Sequence, residues 1–205
     1  MSTASLTKFT VPLQTGQSAS AQGLLMPKMK YRFRVSFLNF GVSQPTTELT
    51  KQVIDITRPN ADFEVTTLDV YNSKIKIAGK PSWQDTTVNI RDDATGAVAK
   101  LVGEQIQKQF DFLEQSSAAS GIDYKFQLNY EVLDGGNGVN VPTVLETWEM
   151  YGCWIKTVNY NDMNYATSDA VTIQLAISFD NALQTPIGNG IGAVVGRTIG
   201  TVSTG

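Results

Sequence analysis

Strict alternation of apolar and polar residues is the feature that most constrains what this chain can fold into. In YRFRVSFL, Tyr31, Phe33, Val35 and Phe37 share one side, and Arg32, Arg34 and Ser36 share the other. KIKIAG sets Ile75 and Ile77 against Lys74 and Lys76, and TVNIRDD sets Val88 and Ile90 against Thr87, Asn89 and Arg91. The two longest runs are YKFQLNYEV and VTIQLAISF. The first opposes Tyr124, Phe126, Leu128, Tyr130 and Val132 to Lys125, Gln127, Asn129 and Glu131. The second opposes Val171, Ile173, Leu175, Ile177 and Phe179 to Thr172, Gln174, Ala176 and Ser178. A period of two belongs to strands that bury one face and wet the other; no helix shows it.

One segment follows a different period. From Ala97 to Gln115 the residues Val98, Leu101, Val102, Ile106, Phe110 and Leu113 recur at three-four spacing, which predicts an amphipathic helix over 97–115. Asp92, Asp93 and Thr95 supply its N-terminal cap, and SSAASG supplies the stop. Asp92 and Asp93 also have the form of an acid/base carboxylate pair, but capping at a strand-to-helix junction accounts for them more simply. Gly and Pro place breaks at Gly41 to Pro45, Arg58 to Asp62, Gly79 to Pro81 and Asp134 to Gly138. The expected fold is mainly β: an antiparallel barrel or sandwich of about seven strands with one flanking α-helix.

Three stretches divide the 205 residues. Residues 1–23 are rich in Ser, Thr, Ala, Gln and Gly and read as an arm; 24–185 form the β domain; 186–205 interleave Gly with Ile, Val and Thr as a tail. Apolar residues in segments too short for a core point either to docking on another subunit or to a frayed terminus without a role.

Composition then removes whole classes of chemistry. There is no His, which excludes Ser-His and Cys-His nucleophiles and His-ligated zinc. The lone Cys153 makes no internal disulfide and fits a buried position in a reducing compartment. A net charge of -3 argues against gripping nucleic acid through the overall field. No run approaches the roughly 18 apolar residues of a membrane span, and the N-terminus lacks a signal-peptide core, so a cytoplasmic start is expected. DGGNG and GNGIGAVVG lack the context of a phosphate loop, and Asp162, Asp169 and Asp180 lack metal-loop spacing. No catalytic residue, metal site or cofactor is therefore expected. Trp83, Trp148 and Trp154 with Tyr151, Tyr160 and Tyr165 could form a carbohydrate platform, though aromatics in strands more often serve core or subunit contacts.

Two stretches carry a family resemblance. KIKIAG, Trp83, Asp85, TVNIRDD and the following helix, together with WEMYGCWIKTVNYNDMNYATSDAVTIQLAISFD, resemble the major tail tube proteins of contractile-tailed bacteriophages. Together they span most of residues 28–183; Ile155 departs from the proline that at least some members carry after the tryptophan. The resemblance implies a β-barrel-like domain that closes into hexameric rings. The rings stack into a virion's inner tail tube, a conduit for DNA ejection inside a contractile sheath. The implied partners are further copies of the chain, the sheath protein, baseplate or tube-initiator proteins and the tail terminator, with double-stranded DNA passing without specific binding. Tailocin and type VI secretion tubes, the latter built from a haemolysin-coregulated protein, are the nearest alternatives. A monomeric carbohydrate-binding β-sandwich is the alternative of another class.

In such an assembly Arg32, Arg34, Lys74 and Lys76, with Trp83, are the candidate subunit or ring contacts. A lumen that passes DNA must be neutral to acidic. The polar strand faces with Gln127, Asn129, Glu131, Thr172, Gln174 and Ser178 are the candidate wall.

Overall fold

A computed structural model describes residues 27–43, 46–135, 142–185 and 190–191. The expected arm at 1–23, nearly all of the Gly-rich tail and the centre of DGGNG lie outside these residues. The chain divides into two compact units, Met1–Arg32 and Phe33–Gly205. Within the first, the Arg32 N–H donates to the Met29 carbonyl at 3.2 Å, and the Arg32 guanidinium sits 5.3 Å from the centre of the Tyr31 ring. Tyr31 and Arg32 thus form a turn, not part of a strand, and Tyr31 is exposed.

The second unit runs β1 (Phe33–Leu38), α1 (Thr47–Gln52), β2 (Val53–Ile56), β3 (Ala61–Val70), β4 (Ser73–Trp83), β5 (Thr86–Arg91) and α2 (Ala97–Gln109). It continues with β6 (Phe110–Asp111), β7 (Ser116–Ser117), α3 (Gly121–Tyr124), β8 (Phe126–Leu133), β9 (Val144–Asn159), β10 (Thr172–Ser178) and β11 (Asn181–Thr185). Seven strands form one antiparallel sheet in the order β1-β8-β9-β10-β5-β2, with β11 also paired to β9. The path does not close. The mainly β architecture with a flanking helix is as the alternation predicts; β3–β4 and β6–β7 are additional two-stranded pieces.

β9 is the spine. Its first part pairs with β8 on one edge and β11 on the other, and its last part pairs with β10. β10 and β11 run along the same edge of β9, interrupted at Phe179 and Asp180 opposite the middle of β9. There the inward phase changes: Glu146, Trp148 and Met150 are buried, then Cys153 and Ile155. The extra residue is a bulge at Gly152, whose φ of +68 is a left-handed value that only glycine adopts freely. A Cβ there would also lie 2.1 Å from an Asp180 carboxylate oxygen. The bulge turns β9, so the β1-β8-β11 half of the sheet and the β10-β5-β2 half enclose one core. Val35, Phe37, Leu128 and Met150 face Val88, Ile90, Ile173, Leu175 and Ile177 within it, and Val98, Leu101 and Val102 of α2 contribute to the same cluster. Cys153 is fully buried, as expected.

Two further expectations need correction. α2 ends at Gln109, six residues before the periodicity predicts, because Phe110 turns to extended backbone (φ -151). Asp111 then accepts the N–H groups of Leu113 at 2.9 Å and Glu114 at 3.3 Å, which fixes a turn and leaves Leu113 91% exposed. The break expected at Gly79 to Pro81 is absent: β4 runs through it, and a register shift between Phe63 and Val65 absorbs the extra residue. No described helix is long and apolar enough to cross a membrane.

Candidate assembly surfaces

β3 and β4 pair only with each other among the described residues, and every residue from Asp62 to Ser82 except Gly79 is exposed. The alternation in KIKIAG does not mark a core strand. Leu68 pairs with Ile75, and Thr66 with Ile77, so Leu68, Val70, Ile75 and Ile77 fall on one face at 46%, 46%, 51% and 48% exposure. The opposite face carries the pairs Thr67–Lys76 and Asp69–Lys74, the latter an ion pair at 3.4 Å. An isolated two-stranded hairpin is marginal in water, and an aliphatic row without a cover adds to that deficit.

The hairpin is nevertheless well rooted. Trp83, at its base opposite Ala61, packs partly buried against the core with its ring 5.6 Å from that of Phe179. The Gln84 N–H donates to the Asn60 carbonyl at 2.9 Å. Just before β3, the Arg58 guanidinium pairs with Glu146, a buried carboxylate that also accepts the indole N–H of Trp148. Beyond the base, Asp85 accepts from the Lys156 ammonium at 2.5 Å. That bond and a hydrogen bond from Ser178 hold the Asp85 carboxyl below the usual carboxylate range, against the opposing effect of burial.

Apart from Arg32, which precedes β1, the candidate contact and wall residues fall in three places. Lys74 and Lys76 lie on the hairpin and Trp83 at its base. Arg34 lies on β1, directly across from Glu131 of β8, and donates to it at 2.6 Å. Arg34 therefore shares an outer face with Gln127, Asn129 and Glu131, next to the residues assigned to the wall. Thr172, Gln174 and Ser178 occupy the outer face of β10 in the other half of the sheet, beside Arg91 and Asn89 of β5. The two halves share one core between them, so their outer faces look away from each other. One subunit does not present both polar rows to the same side.

Other side chains singled out by the sequence have structural partners. The Val98 N–H donates to Asp93 Oδ1 at 3.2 Å and the Thr95 hydroxyl to Asp93 Oδ2; the hydroxyl first, then the backbone, hold the Asp93 carboxyl low. Asp93 is thus committed to the helix start. Asp180, one of the dispersed acids, pairs with Lys125 at 2.5 Å. Of the aromatic residues singled out by the sequence, Trp148 is buried, Trp83 and Trp154 are half-buried, and Tyr151, Tyr160 and Tyr165 are exposed. Among the described residues no three His, Cys, Asp or Glu side chains converge as metal ligands.

No protein-family model and no curated protein matches the chain. Solved structures do. The anti-feeding prophage cap, described as the AFP tube terminating cap, matches with a TM-score of 0.58 at 12% identity, covering 83% of this chain and 97% of that one. The PVC sheath/tube terminator of an extracellular contractile injection system, in its extended state, matches with 0.58 at 11%, covering 80% and 99%. The PVC sheath-tube complex matches with 0.52 at 12%, covering 78% and 91%. The chain has a tail-tube-like fold. In this tail-tube-like domain the exposed aliphatic row and the two outward polar faces are the surfaces left over once the core is complete.

Proposed function

We propose that the chain is the inner-tube subunit of a contractile injection apparatus, with copies closing into hexameric rings that stack into a hollow tube. The observation that carries this is the β3–β4 hairpin. Its backbone edges and its aliphatic row have no cover among the described residues of the subunit, and a neighbouring copy supplies both. Contact between unlike surfaces of identical subunits generates rings when the rotation closes and filaments when it does not, and a tube needs both. The fold shared with chains of sheath-tube and tube-terminator assemblies supports the same role. The chain has no catalytic task in it.

At finer grain, the resemblance of the sequence points to a contractile-tailed bacteriophage. There the tube would belong to the virion and conduct double-stranded DNA, with sheath, baseplate or initiator and terminator proteins as partners. The structural neighbours come from an anti-feeding prophage and an extracellular contractile injection system, which favours a second reading: the same tube carrying other cargo. The outer face of β10, with Thr172, Gln174 and Ser178, holds the least charge and is the better candidate for the lumen. Arg34 and Glu131 would then face outward or toward a neighbour.

Negative-stain electron microscopy across a concentration series tests the assembly. Rings or hollow tubes are expected; a monomer at every concentration overturns it. Tubes isolated from native particles separate the two cargoes: nuclease-protected DNA supports the phage, and its absence supports the other injection machine.

A further inference from the structure

The free edge of β9 ends in a built groove. β8 leaves β9 at Cys153, and among the described residues no strand pairs with that edge of β9 beyond it. The first open position is closed by a side chain. Gln109, the last residue of α2, donates its amide to the Ile155 carbonyl at 2.9 Å and accepts the Ile155 N–H at 2.8 Å, as a strand neighbour would. Past that clip lies a groove of 340 Å³ walled by Ile106, Phe110 and Phe112 and by Lys156, Thr157 and Val158 of β9, the Lys156 ammonium being paired with Asp85. Phe110 and Phe112 meet edge-on at 5.1 Å, and Phe112 is 64% exposed.

We propose that this groove takes the free edge of β4 from a second copy of the chain, added as a strand beside β9 with Ile75 and Ile77 turned into the groove. Docking of this kind presupposes the self-assembly proposed above and specifies where it happens. Three observations select the occupant. β4 is an extended strand whose outer edge has no strand partner among the described residues, so main-chain groups on both sides complete each other. Its alternate residues Ile75 and Ile77 match an apolar groove that lies along a strand edge. β4 also carries Lys74, paired with Asp69 of β3, and Lys76 and Lys80, while the turn that walls the groove carries Asp111 and Glu114 and no base, and the lining Lys156 is paired with Asp85. Asp111 is held low by the Glu114 and Leu113 N–H groups and stays ionised. The hairpin does not fill the groove of its own subunit, since Ile75 and Ile77 are exposed, so the contact joins different copies.

Two singly substituted proteins test it, Ser73→Cys on β4 and Thr157→Cys on the β9 edge. Both positions are exposed, and circular dichroism checks that each variant folds like the parent. Cys153 is buried with its thiol pushed up to about 12 by burial, so it stays silent toward a short bismaleimide and the parent serves as blank. An equimolar mixture is expected to give a covalent dimer at least tenfold more abundantly than either protein alone. Rings or tubes in the microscope without a dimer in the mixture overturn the docking and leave the tube standing. A dimer from one variant alone shows a like-to-like contact and also overturns it. A monomer under all conditions overturns both.

Discussion

Gly152 is where backbone geometry and a carboxylate meet at one atom. An alanine there costs about 1–2 kcal/mol for the left-handed backbone alone, and its Cβ displaces Asp180 from Lys125 as well. Chemical denaturation is expected to show Gly152→Ala costing more in the parent than in an Asp180→Ala background, where only the backbone strain remains. Equal costs in both would show that Asp180 yields freely. Glu104 of α2 carries a second strong local coupling. Its carboxylate accepts the Val42 N–H at 2.8 Å, the Ser43 N–H at 2.7 Å and the Ser43 hydroxyl at 2.6 Å, pinning the turn after β1 to the helix. The Ser43 hydroxyl leads the effect, followed by the two backbone donors, and the carboxyl falls from 4.5 to about 2. A folded-state value below the unfolded one means that stability is present in full above about pH 4.5 and is lost as pH falls toward 2. Glu104→Gln is expected to cost about 1–2 kcal/mol at pH 7. Denaturation curves of parent and variant should converge as acid is added through that window, and a gap unchanged by pH would refute the assignment.

Strands of equal alternation behave differently when cut. Ile173 of β10 is buried and Ile75 of β4 is half exposed, although each sits in a run of period two. Ile173→Ala is expected to cost about 2–5 kcal/mol. Ile75→Asp should leave monomer stability within about 0.5 kcal/mol and abolish rings, as read by denaturation and sedimentation; loss of stability without loss of assembly would reverse the roles. This pair shows what the sequence holds. Period two reports that one face of a strand is covered, and it is silent on whether the cover comes from the same chain or another copy, so β1, β5, β8 and β10 were legible while β4 was misplaced. The three-four spacing through Phe110 and Leu113 hid the end of α2, because Asp111 stops the helix through its side chain while Phe110 and Phe112 keep the apolar content. The bulge did leave a trace: in WEMYGCWI the apolar phase passes from Trp148 and Met150 to Cys153 and Ile155 across Tyr151 and Gly152. The clip of Gln109 on Ile155 left none, since a glutamine on a helix flank looks like any solvated residue.

For the whole molecule, a core built within one subunit and a hairpin covered by another copy, as proposed above, predict two separable stabilities. Hydrophobic residues fill the core, so the monomer should unfold cooperatively by itself. Assembly binds only the folded state, and mass action therefore raises the unfolding temperature with protein concentration. Scanning calorimetry of the parent should show a midpoint that climbs with concentration. Each factor of ten in affinity or in free partner concentration is worth about 1.4 kcal/mol, which for a domain of this size moves the midpoint by roughly 3–6 °C. Leu68→Asp should flatten that dependence while matching the parent at the lowest concentration, because Leu68 lies on the exposed aliphatic row and outside the core. A midpoint independent of concentration in the parent would mean that the aliphatic row of the hairpin is not buried by copies of this chain. A variant less stable than the parent even when both are dilute would mean that the hairpin belongs to the subunit's own fold, and the surface that builds the tube would then have to be sought on the outer faces of β8 and β10.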